Sequence, residues 1–162
     1  MVTAFLAGIG EEVLFRGYIQ HLLTGRIGAY WSVGITSVFF SLAHMGNPGY
    51  NWISALNIVI IAVIFSLLTL RTGRLYPAMA MHISWNLFQG YVYGVAVSGS
   101  APHGLYTVKL SGQAWLTGGV FGLEGSLAVT LILLVALTGL LWLPPAVNAP
   151  VTAGWNSRLP GR

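Results

Sequence analysis

Apolar residues fill the chain in five long runs, broken by short clusters of glycine, proline and arginine. The runs cover about 2–24, 29–45, 52–70, 77–97 and 126–143. Each approaches the roughly 17–25 residues that a helix needs to cross a hydrocarbon layer. The first ends near Gly25-Arg26, and the second at "GNPG" (46–49), whose proline and glycines cannot continue a helix. "RTGR" (71–74) closes the third, and Pro77 opens the fourth from a first turn, where a helix tolerates proline. Residues 98–125 are rich in Gly and Ser and too broken to be a span. Past Pro144-Pro145 no periodicity remains. The pattern predicts an all-α polytopic membrane helix bundle of about five transmembrane helices, with a Gly/Ser-rich loop before the last. It sets a single transmembrane domain over 1–145 and a flexible C-terminal tail over 146–162. No internal repeat is visible.

Composition sharpens this. The chain is 56% hydrophobic and only 6% charged, with a mean hydropathy of +0.77. A soluble domain covers itself with roughly 25% charged residues, so the solvent here must be largely hydrocarbon. The net charge of +4 comes from scattered bases that form no stripe, which excludes nucleic acid as a partner. Membrane lipid and a membrane-associated peptide or protein substrate are the partners expected. With no cysteine, disulfides and thiolate metal sites are excluded. The first residues run into an acidic helix instead of a basic leader, so no cleavable signal peptide is apparent. Alternating spans put Arg26, Arg71, Arg74, Arg158 and Arg162 on one face, and Lys109 with Glu124 on the other. That bias predicts a cytoplasmic C-terminus.

Against this background the charges in "GIGEEVLFRGYIQ" (8–20) need a reason. A charged side chain at mid-bilayer costs about 2.5–3.5 kcal/mol on insertion scales and usually faces a bundle interior. Glu12 and Arg16 are four apart, on one helix face and able to pair. Glu11 is turned about 100° away, without a local partner and poised as a base. "FFSLAH" places His44 at the end of the second run, and "HISWN" puts His82 and Asn86 four apart on one face of the fourth. Each piece has a structural alternative: a buried ion pair, a helix-end histidine, interhelical hydrogen-bond glue. Three polar spans in so apolar a chain point instead to a shared site. His21, near a helix end, and His103, in a loop, receive no role.

Two chemistries suit a glutamate with two histidines. Zinc held by His44, His82 and Glu11 is one, but no "HExxH" is present and Asn86 is a poor ligand. In the other, Glu11 and His44 take a proton from water while His82 and Asn86 donate to the oxyanion of a tetrahedral intermediate. The second fits better and needs no metal or other cofactor.

In order along the chain, "EEVLFR" (EExxxR), "FSLAH" (FxxxH) and "HISWN" (HxxxN) resemble the CPBP family (CAAX protease/bacteriocin-processing, also called Abi) of intramembrane glutamic endopeptidases. That family includes the CAAX prenyl endopeptidases and many bacterial homologues, and "TGGVFGLEGS" (117–126) looks like its bacterial branch. The resemblance covers roughly residues 8–126 and implies a peptidase of the bacterial cytoplasmic membrane, acting on prenylated or other peptides. By it, Glu11 is the water-activating acid, His44 its partner, and His82 with Asn86 the oxyanion stabilisers, while Glu12 and Arg16 give mainly structural support. Family members usually carry further spans ahead of the first motif, which here opens at Glu11. The competing readings are a non-proteolytic immunity or assembly factor of the same fold, a zinc-dependent membrane protease, and a proton-coupled transporter. The lack of inverted repeats disfavours the transporter.

Overall fold

The computed structural model describes residues 2–101 and 104–144. The tail expected over 146–162, with Arg158 and Arg162, and His103 lie outside the described residues. Within them the regular structure is helical, apart from one isolated bridge between Val97 and Ser100. Helix α1 (Val2–Glu12) passes into a π-helical segment (Val13–Ile19) and then into α2 (Gln20–Ile27), so the first apolar run is one helical path. Helix α3 spans Ala29–Ala43, α4 Trp52–Thr72 and α5 Tyr76–Asn86, the last followed by a second π segment, Leu87–Val92. A single turn, α6 (Ala114–Thr117), and two 3₁₀ turns (Gly119–Phe121, Leu123–Gly125) lead to α7 (Leu127–Trp142).

The ends follow from local chemistry. Asn51 and Ser54 form a capping box that starts α4, and Gly73, left-handed at φ 66°, ends it. Ser126 accepts from the Val129 amide to start α7. At the other end of α7, the Arg71 guanidinium donates to the carbonyls of Leu140 and Leu143 at 2.5 Å each, supplying orphan carbonyls with a cation.

The structure departs from the sequence pattern in three places. The second run ends as helix at Ala43, with His44 as its cap, because the chain already turns through Met45–Asn47. The fourth run ends at Val92 instead of 97, where Gly94 at φ 64° turns the backbone back against Tyr106. Two π segments interrupt what periodicity reads as continuous α-helix, and such insertions favour functional sites. By length and composition, α4 is the one helix among the described residues that is long and apolar enough to cross a membrane; α3 and α7 are apolar but shorter.

Helix α4 sits at the centre, with α3, α5 and α7 packed round it, α1 against α5 and α2 against α3. Phe15, Phe40, Ile58, Ala62 and Phe121 form one core cluster, and Ile60, Ile64, Val129 and Leu133 the other. Polarity is inverted relative to a water-soluble fold: Glu12 and Arg16 are 0% and 2% exposed, whereas Val135 and Trp142 are 74% and 87% exposed. Isolated surface leucines are ordinary, but an apolar outside round a charged inside is the distribution a hydrocarbon solvent favours. Gly8 lets α1 approach α5 closely, since a Cβ there would meet Ile83 Cγ1 at 2.6 Å and its backbone nitrogen at 3.1 Å.

Candidate active site

That close approach delivers the two glutamates of α1 to the histidine of α5. Glu12, fully buried, accepts from Arg16 Nη1 at 3.0 Å through Oε1. The same oxygen lies 2.9 Å from Nδ1 of His82. Arg16 also donates to the Ala62 carbonyl of α4 at 3.1 Å, and its guanidinium carbon sits 4.3 Å from the Phe40 ring centroid and 5.3 Å from that of Phe65. The charge is thus compensated by a carboxylate, a carbonyl and aromatic faces instead of water. Glu12 therefore contacts the Nδ1 side of the His82 ring as well as Arg16.

Glu11 takes the other direction. Its Oε2 has no hydrogen-bond partner among the described residues and lies 3.9 Å from His44 Nε2 and 4.0 Å from His82 Nε2. Those separations are too long for direct hydrogen bonds. They converge on one point between an acid and two imidazoles. His44 Nδ1 is 2.8 Å from the Phe40 carbonyl. A carbonyl only accepts, so Nδ1 carries the proton and a neutral His44 presents a bare Nε2 lone pair toward Glu11. The His82 ring stacks on Phe65 at 5.3 Å and 19°, which holds its plane. Asn86 is buried one turn beyond His82 on α5, immediately before the second π segment. Its carboxamide makes no hydrogen bond among the described residues, to Glu11, His44 and His82 or to any other group.

The two histidines also line a cavity of about 110 Å³ between α4, α5 and α7, walled by Ile61, Phe65, Met81 and Leu133, with Glu124 on its polar side. Glu124 is the residue that sequence reasoning missed by treating it as a loop charge. Trp85 Nε1 donates to its Oε1 at 2.8 Å, and the Ser98 amide and hydroxyl donate to its Oε2 at 2.6 and 2.7 Å. Glu124 lies deep in the molecule yet keeps some accessible surface, because the cavity reaches it. Burial pushes its carboxyl above the usual carboxylate range, against the pull of the Ser98 and Trp85 donors and of His44. One signal was available in the sequence: the chain has three acidic residues in all, and every one of them stands at this site.

Among the described residues, no group of three or more His, Asp or Glu side chains is arranged to hold a metal ion. No curated protein and no solved structure matches the chain. The family described as type II CAAX prenyl endopeptidase Rce1-like matches over residues 1–88, a stretch that takes in Glu11, Glu12, Arg16, His44, His82 and Asn86. The match spans more than half of the chain, which therefore belongs to the Rce1-like family of type II CAAX prenyl endopeptidases.

Proposed function

We propose that this chain is an intramembrane glutamic endopeptidase that hydrolyses a peptide bond with a water activated by Glu11 and His44. The observation that carries the reading is the convergence of His44 Nε2 and His82 Nε2 on Glu11 Oε2, at 3.9 and 4.0 Å, without direct bonds. A reacting oxygen between them could give its proton to Glu11 or to the bare Nε2 of His44. His82 serves as an oxyanion donor only when Nε2 also carries a proton, that is, as an imidazolium with Nδ1–H on the Glu12 carboxylate. Asn86, on the same helix face, supplies the second donor. No metal or other cofactor takes part.

The bundle crosses the bacterial cytoplasmic membrane about five times, with the loops that carry Arg26, Arg71 and Arg74 in the cytoplasm. The cap that Arg71 places on the last turn of α7 supports reading the end of α7 on that side too. His44, at the far end of α3, then sits toward the opposite face. The substrate is a peptide or protein at the membrane, prenylated or not. The test is cleavage by the purified chain in liposomes, with prenylated and unprenylated peptides presented from each side. Glu11→Gln should abolish turnover while leaving folded yield intact; near-normal turnover in that variant would refute the assignment.

A further inference from the structure

We infer that Glu124 is a positioning residue of the site, whose carboxylate ties the helix of His82 to the loop that bonds the turn after His44. Two segments donate to this one group, and a third reaches it through Ser98. Trp85, on α5 between His82 and Asn86, donates to Oε1 at 2.8 Å. Ser98 donates through both its amide and its hydroxyl to Oε2. The Ser98 carbonyl in turn accepts from Asn47 Nδ2 at 2.9 Å, three residues past His44. A chain of hydrogen bonds therefore runs from α5 through Glu124 and Ser98 to the turn that caps His44.

The anchor itself is fixed. Asn57 of α4 donates to the backbone carbonyls of Glu124 and Ser126 at 2.8 and 2.9 Å, and Thr130 of α7 donates to Asn57 Oδ1 at 2.7 Å. Ser98 adopts φ 46°, the one positive φ outside glycine among the described residues. A serine holds that conformation when its surroundings over-determine it, and here it bonds on three sides. A carboxylate with three donors and no donor of its own is matched as an acceptor. Glutamine would place an amide N–H against one of those donors. Glu124 also shares the cavity with both imidazoles, so a shift of its partners is felt there first.

The kinetic part rests on the hydrolytic reading; the geometric part does not. The full chain, labelled with 15N-histidine in micelles, is compared with Glu124→Gln and with Trp85→Phe, which keeps a ring and deletes the indole donor. Imidazole resonances are assigned by replacing each histidine in turn, with exposed His21 as internal control. Both variants should shift the His44 and His82 signals and leave His21 unmoved. With a peptide substrate, kcat should fall by up to about 10²-fold, as misplacement of reacting groups does, with KM little changed. Unmoved His44 and His82 signals in folded variants would overturn the inference. So would shifts spread equally to His21, or loss of folded protein from both variants, which mark a purely structural carboxylate. Absence of cleavage by the unsubstituted chain would instead sink the hydrolytic reading and leave the spectra to decide the role of Glu124.

Discussion

His82 Nδ1 lies 2.9 Å from Glu12 Oε1, the same oxygen that Arg16 occupies at 3.0 Å. One buried carboxylate thus neutralises a guanidinium and orients an imidazole, joining the first motif to the third across the α1–α5 contact. The ion pair and the orientation of a candidate site residue share this single atom.

Glu12→Gln should cost about 3–5 kcal/mol of stability, because it strands the Arg16 guanidinium in the interior. Adding Arg16→Met should recover part of that loss, since the pair acts as a unit. The double variant should still be inactive, because His82 has lost the partner of its Nδ1. Denaturant titration in micelles, with turnover per folded molecule, tests both halves; an active double variant would refute the orienting role.

The Asn86 side chain makes no hydrogen bond among the described residues, so its removal should touch stability little. As an oxyanion donor it acts more in the transition state than in the ground state. Asn86→Ala should lower turnover by about 10²–10³ with substrate affinity nearly unchanged. Asn86→Asp should be at least as damaging, because a carboxylate repels the developing charge. Full specific activity in the folded fraction would remove Asn86 from the site.

Two glycines of α1 make a matched pair. Gly8→Ala places a Cβ 2.6 Å from Ile83 Cγ1 and 3.1 Å from its backbone nitrogen, whereas a Cβ on Gly10 meets nothing within 4 Å. The first should push α1 off α5, reduce folded yield and lower turnover by loosening Glu12 from His82. The second should leave activity intact and stabilise by roughly 0.5–1 kcal/mol through the better helix former. Equal behaviour of the two would show that the α1–α5 approach does not position the site.

Hydrolysis should survive exhaustive chelation. The chain has no thiolate, and a metal on the two histidines would draw Glu11 away from its task as base. Metal analysis of active protein is the measurement, and stoichiometric zinc that tracks activity would favour the zinc-dependent alternative.

How far the site was legible depends on the distance over which each residue finds its partner. The Glu12–Arg16 pair is written in a four-residue spacing and needs only a helix to form. Glu11, His44, His82 and Asn86 were visible because polar groups stand out in so apolar a chain. The helical class and the breaks at "GNPG" and "RTGR" are likewise local, set by propensity, capping and turn chemistry.

Long-range geometry was not legible. That His82 takes Glu12, while Glu11 faces both Nε2 atoms, follows from the rotation of α1 against α5, which Gly8 and Ile83 decide. The π segments after Glu12 and Asn86 arise within sequences whose apolar period reads as plain α-helix, because hydrogen-bond register is chosen by packing. Glu124 reads as one charge in a glycine-rich loop, and its partners Trp85 and Ser98 lie 39 and 26 positions away. The sequence by itself determined which side chains are too costly to leave unpaired in so apolar a chain. Only the tertiary structure decided which of them meet, because in a helix bundle side-chain contacts depend on the rotation and closeness of neighbouring helices, and single small residues such as Gly8 set both.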